Sequence, residues 1–310
     1  MNFISFLSMV TLLLRIVSLE CVLQTTRGRR ARARAAASSG DVSQSVKPLL
    51  YLHIPKTGSG FLRSLLHLPG LCPSIEQVDI VGYSPALLEQ WARNQSICPH
   101  AFAFGARKFF WQHDGLGSDY ADLLGHGMIM MRQPEQRILS DYHNGGFLHG
   151  EHAVSRPGNS LKGLLPPMAL PDFLRRTSGC AVKMLTRGGE ALEGTSPCTM
   201  PQPPSAAEVS LAKQRLREGF VFVGLTEEWN LSVCLLHTMF GGSCQAFEFN
   251  KEHSNPTGMM RNDTELGSFR DHDGPVYEEA REIFHTNLRK YGVTSESCKS
   301  CWSAAGLVLE

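Results

Sequence analysis

Apolar residues in this chain gather in short runs that stop abruptly at a charge or a glycine, and each run is followed by apolar positions at helical spacing. Leu49 to Ile54 has the length and composition of a strand buried on both faces, and Phe61, Leu62, Leu65 and Leu66 then recur with the period of a helix. Met128 to Met131 make a second short strand; Pro134 suits the first turn of a helix that Ile138, Leu139 and Tyr142 continue. Phe220 to Val223 read as a third strand. Thr226 is placed to cap the next helix, Glu227 and Glu228 favour its positive end, and Gly241 and Gly242 close it. A last helix, Pro275 to Tyr291, carries Val276, Ala280, Ile283, Phe284 and Leu288 on one face and stops at Gly292. Strands and helices alternating in this way predict an α/β fold, a central parallel sheet with helices on both faces.

Outside these units the periodicity fades. Residues 144 to 205 hold many Gly, Pro and Ser and little repeat apart from LPDFLRRTSGCAVKMLTRG, which predicts a long excursion over the face where ligands bind. At the amino end, Phe3 to Leu14 is an apolar run broken by Arg15 and resumed from Ile16 to Leu23, so residues 1–23 read as a signal peptide or a single-pass signal-anchor. Arg27, Arg29, Arg30, Arg32 and Arg34 follow the run and nothing basic precedes it, the reverse of the flank that a lumenal domain favours; an Arg- and Ala-rich tract without acids also fits organelle targeting. Residues 24–46 read as a stem or processed linker, with the fold beginning near Lys47.

Composition narrows the picture. The chain has 310 residues, 42% of them hydrophobic, enough for a sizeable core, and 30 basic against 29 acidic residues leave a charge of +1. No global field recruits nucleic acid or a membrane surface, so an anionic ligand must be gripped locally. Of nine cysteines, eight after Cys21 fall into sequence neighbours: Cys72 with Cys98, Cys180 with Cys198, Cys234 with Cys244, Cys298 with Cys301. An even set suits disulfides, although spacing alone leaves the pairing open; a zinc site on Cys298 and Cys301 would need two more ligands and no second close pair offers them. Sequons at Asn94, Asn230 and Asn262 point the same way, towards the secretory route, while Pro256 disqualifies Asn255.

The chemistry centres on LLYLHIPKTGSG, where the first strand runs into a turn. Gly58 and Gly60 permit a tight bend that collects backbone N–H groups into one concavity, Lys56 adds a full charge, and Thr57 and Ser59 add hydroxyls; a phosphate or sulfate fits such a place. The lysine precedes the glycines, unlike the nucleotide-triphosphatase loop, in which it follows them beside Ser or Thr. Arg132, at the end of the second strand, and Ser140, in the helix after it, face the same crevice if the sheet is parallel, because ligands in such sheets bind at the carboxyl ends of the strands.

Four stretches in order, HIPKTGSGFLRSL, RQPEQRILSDYHN, FVFVGLTEEWNLSVCLL and VYEEAREIFHTNLRKYG, resemble the Golgi carbohydrate sulfotransferases, in particular the branch of the heparan sulfate 2-O- and 6-O-sulfotransferases. The resemblance spans Leu49 to Gly292 and implies a P-loop-like three-layer fold over residues 47–297, with 298–310 as a C-terminal tail. It implies 3′-phosphoadenosine 5′-phosphosulfate (PAPS) as donor, no metal, and a glycan hydroxyl as acceptor in the Golgi membrane or lumen. Lys56 matches the family lysine at the leaving oxygen, Thr57, Gly58, Ser59 and Gly60 surround the 5′ phosphate, and Arg132 and Ser140 hold the 3′ phosphate. For the general base the family's histidine segment aligns best with PHAFAFGARKF, which puts His100 forward; Pro99 departs from the pattern, and His113 and Glu76 stand as alternatives. His53, inside the strand, reads as a packed core residue, and Lys251 and Arg261 as solvated loop residues that lie where the family approaches nucleotide or acceptor.

Two other classes share these features. A P-loop nucleotide kinase or ATPase has the same strand, glycine turn and helix, but here the terminal Gly-Lys-Ser/Thr is missing and no magnesium-binding aspartate follows a second strand. A catalytically inactive glycan-binding protein on the same scaffold would keep the acceptor cleft and tolerate loss of Lys56.

Overall fold

In a computed structural model of the chain, the three apolar runs become strands β1 (Leu50–Leu52), β2 (Gly127–Met131) and β3 (Phe220–Leu225) of one parallel sheet. The structure describes residues 49–58, 60–75, 78, 96–98, 113–143, 169–189, 196–249 and 263–307, all within one compact unit, Val46–Glu310. The middle run in sequence is also the middle strand in space, in the order β1–β2–β3, with Leu52 beside Ile129 and Ile129 beside Val223. Every residue of β1 and β2 is buried, which is why these runs are continuously apolar rather than alternating. The protein is therefore α/β, a three-stranded parallel sheet flanked by helices.

The helices follow from the same patterns. Helix α1 (Phe61–Leu66) is buried at every position, and α2 (Pro134–His143) opens on the proline expected there. Within the stretch expected as an excursion lie α3 (Leu170–Thr177) and α4 (Cys180–Thr186); Phe173 and Leu174 of α3 join Ile138 and Leu139 of α2 and Leu266 in one buried cluster. Helix α5 (Ala206–Gly219) begins with a capping box: the Ser205 hydroxyl accepts from the Glu208 N–H, and the Glu208 carboxylate accepts from the Ser205 N–H. Helices α6 (Trp229–Phe240) and α7 (Gly274–Tyr291) pack against β3. Gly292 stops α7 in the left-handed region at φ 64°, where a side chain would be strained, and Val293 N–H then reaches back to the Leu288 carbonyl at 2.8 Å. Gly115–Leu116 and Gly188–Gly189 pair as a small antiparallel ribbon that no apolar run announces.

Four disulfides close the fold. Cys72–Cys98 and Cys180–Cys198 join sequence neighbours, but the remaining four cysteines do not pair with their neighbours: Cys234 bonds Cys298 and Cys244 bonds Cys301. Cys298 and Cys301 sit one turn apart at the start of α8 (Lys299–Ala304), one bonded into α6 and the other to the segment just after it, so the helix that follows residue 298 is cross-linked into the fold. Trp302 adds a hydrogen bond from its indole N–H to the Asn230 carbonyl, which places that sequon in the first turn of α6. Among the described residues no helix is long and apolar enough to cross a membrane. Residues 1–48, Cys21 among them, and the sequons at Asn94 and Asn262 lie outside the described residues.

Candidate functional site

The turn after β1 is held in an unusual backbone state. Lys56 has φ 66°, the one non-glycine residue with positive φ among the described residues, and Gly58 has φ 98°. A side chain in that region costs on the order of 1 kcal/mol or more, so surrounding bonds must impose it. Several do. The Thr57 hydroxyl donates to the Ile54 carbonyl at 2.8 Å, closing the turn from inside, and Thr57 itself is 1% exposed. The Arg132 Nη1 donates to the Lys56 carbonyl at 3.3 Å, and the Thr226 hydroxyl lies 3.0 Å from the Thr57 carbonyl. The Trp229 ring lies over Gly58, where a Cβ would come within 2.5 Å of its Cζ3; glycine is required there by both space and φ. Trp229 is fixed in turn by a 2.7 Å bond from its indole N–H to the Glu248 carbonyl, and by edge contact with Phe61, which stacks on Phe222 of β3.

Arg132 thus lies against the turn, although 76 residues separate it from Lys56, because β1 and β2 are adjacent and parallel. The two cationic side chains, both half-buried, share the carboxyl end of the sheet. Ser140 sits in α2, half-buried, with no hydrogen bond to the turn among the described residues. Ser59, His100, Glu76, Lys251 and Arg261 lie outside the described residues.

His113 is brought to this region. Its Nδ1 is 3.0 Å from the His53 carbonyl and its ring packs 4.8 Å from that of His53, which itself stacks against Tyr51. A carbonyl only accepts, so Nδ1 carries the proton and Nε2 keeps the lone pair. Burial lowers the His113 pKa to about 4, against the pull of the His53 carbonyl and with help from the positive charges of Lys56 and Arg137. The ring is neutral at pH 7 and a weak base.

Comparison of the chain with protein-family models, with curated proteins and with solved structures gave no match.

Several residues around the turn escaped the sequence reading. Thr226 does not cap a helix: α6 starts at Trp229 after Glu228, and the threonine continues the β2–β3 ladder, its N–H donating to the Met131 carbonyl at 2.8 Å while its hydroxyl reaches the turn. The apolar strand that delivers it was visible; the partner across the sheet was not. Glu227 accepts from the Gln133 N–H at 2.8 Å and from the Tyr277 hydroxyl at 3.2 Å, tying the exit of β2 to α7. Behind Trp229, His237 and Glu248 form a buried pair at 2.9 Å. Burial disfavours the charged ring, but the bond to and charge of Glu248 and the Gly241 and Gly242 carbonyls outweigh it and raise the His237 pKa. Cys244 lies beside this pair, but its sulfur is bonded to Cys301, so no thiolate is available there for a metal.

A second polar cluster is wholly internal. Arg137, 1% exposed, faces Asp271 and Asp273 with N···O distances of 3.5 and 3.9 Å, and Lys183 donates to the Met200 carbonyl at 2.8 Å. Burial and the neighbouring Asp271 charge push Asp273 up to about 7 against the pull of Arg137 and two backbone amides, and burial takes Lys183 down to about 8.

Proposed function

We propose that the protein is a PAPS-dependent carbohydrate O-sulfotransferase on a P-loop-like three-layer scaffold. The single observation that carries the reading is the meeting of two loops far apart in sequence: Arg132 at the end of β2 touches the Lys56–Gly60 turn at the end of β1. A nucleotide with phosphate at both its 5′ and 3′ positions suits two such cationic loops side by side, and the motifs along the chain resemble, in order, those of the glycan sulfotransferases. Four disulfides accord with a secretory, Golgi-type setting for an enzyme acting on glycans.

In this reading the turn cradles the 5′ phosphosulfate and Arg132 the 3′ phosphate, with Ser140 in the helix that follows, α2. Sulfuryl transfer places little covalent demand on the protein and much on position and charge. As the S–O bond opens in line with the incoming sugar oxygen, negative charge grows on the departing phosphate, where the Lys56 ammonium and the turn amides stabilise it. The acceptor proton goes to a base, assigned to His100 by the family motif; His113, neutral and carrying its lone pair on Nε2, is the alternative beside the turn, though its low basicity favours a stronger base.

Titration calorimetry with adenosine 3′,5′-bisphosphate and with ATP separates this reading from a nucleotide kinase. Tight binding of the bisphosphate together with transfer of labelled sulfate to a glycan is the expected result. Preference for ATP overturns it, and bisphosphate binding with no transfer to any of a panel of glycans points instead to the inactive, glycan-binding reading.

A further inference from the structure

We propose that Thr226 is a positioning residue that keeps the Thr57–Gly58 peptide from flipping, so that the turn shows amides rather than a carbonyl to its ligand. The proposal rests on the reading of this turn as the seat of the nucleotide's 5′ end. In a trans peptide the C=O and the following N–H point in opposite directions. Holding the Thr57 carbonyl inward therefore aims the Gly58 N–H outward, and the Arg132 bond to the Lys56 carbonyl does the same for the Thr57 N–H. Among the described residues nothing else donates to the Thr57 carbonyl.

The Thr226 hydroxyl has one hydrogen and two carbonyls in reach, Thr57 and Met131, each at 3.0 Å. Met131 already receives the Thr226 N–H at 2.8 Å, so the hydroxyl is needed at Thr57. The flip it opposes is easy by other measures. Rotating that peptide changes ψ of Thr57 and φ of Gly58, and glycine accepts either sign of φ. A carbonyl left unpaired at buried Thr57 gains by turning past half-buried Gly58 towards water, and would then confront an incoming anion with its own negative end.

The test uses the full chain with Thr226→Val, which keeps the shape and removes the hydroxyl, Thr226→Ser, which restores it, and Thr226→Ala as a second hydroxyl-free variant should the valine not fold. Each is titrated with adenosine 3′,5′-bisphosphate, adenosine 3′-phosphate and inorganic pyrophosphate. The valine variant is expected to bind the bisphosphate and pyrophosphate about tenfold more weakly, to bind the 3′-phosphate as wild type does, and the serine variant to recover wild-type affinity. Unchanged affinity in Thr226→Val, equal losses on all three ligands, or no rescue by serine overturns the proposal. If wild type takes pyrophosphate but neither nucleotide, and pyrophosphate affinity still drops in Thr226→Val and recovers in Thr226→Ser, the nucleotide reading falls while the role of Thr226 stands; if wild type takes none of the three, both fall.

Discussion

Two places in this molecule hold peptide groups of the backbone by opposite ends. At the start of α4, Asp271 accepts the Gly179 N–H at 2.7 Å, and Asp273 accepts those of Ala181 and Val182, both at 2.9 Å. The carboxylates come from more than 90 residues further along the chain and fill the place from within, with Arg137 behind them. At the Lys56–Gly60 turn the chain binds its own carbonyls instead, through Arg132 and Thr226. The first place is mortar; in the function proposed above the second is a receptor. What decides is whether the chain brings its own anion or fastens the opposite end of the peptide.

That contrast can be broken most forcefully at Asp273. Replacing it by Ala strips two amides of their acceptor and leaves buried Arg137 facing one acid; we expect a loss of about 3–5 kcal/mol in urea denaturation, with nucleotide affinity of the folded fraction unchanged. A small loss would mean that the inner cluster is not mortar. At the turn the expectation is reversed: Lys56→Ala lowers sulfate transfer by about a hundredfold or more, roughly 3 kcal/mol, while the denaturation midpoint holds. Transfer at the wild-type rate removes the lysine from the reaction.

The neighbouring histidine sharpens the comparison through pH. His113 has a pKa of about 4 in the fold against an ordinary 6.5. The unfolded chain therefore takes up the proton first, so the stability due to the neutral ring is complete above pH 6.5 and is lost as the pH falls towards 4. We expect about 2–3 kcal/mol across that window, and a His113→Gln variant whose denaturation curves at pH 7 and pH 4.5 differ by that much less. The smallest effect concerns strain: Lys56→Gly removes a side chain from φ 66° and should raise stability by about 0.5–1 kcal/mol even as it removes the charge. A destabilised glycine variant would show that the lysine side chain, not the surrounding bonds, supports the turn.

Much of the frame was legible because it depends on near neighbours. β1, β2 and β3 are runs of buried apolar residues, shorter than the Leu49–Ile54 span by its ends and longer than Phe220–Val223 by Gly224 and Leu225. Helix α5 went unread although Ser205 and Glu208 stand at capping-box spacing, a signal present in the sequence. Thr226 was misread because a threonine between a strand and a helix is equally suited to cap the helix or to bond across the sheet, and the choice belongs to the partner. The eight cysteines were legible as disulfides but not as pairs, for a related reason: Cys298 and Cys301 are neighbours in sequence, yet their partners, Cys234 in α6 and Cys244 beyond it, are set by how α8 packs.

The sequence by itself determined where the three strands of the parallel sheet run, where glycine must turn the chain, and which charged residues stand at the ends of the apolar runs. Those are properties of residues a few positions apart, set by burial, φ and helical period. Only the tertiary structure decided that Arg132 meets Lys56 across 76 residues and that Thr226 meets Thr57 across 169. Such contacts depend on which strand lies beside which, and strand order is fixed by the packing of the whole core rather than by any local pattern.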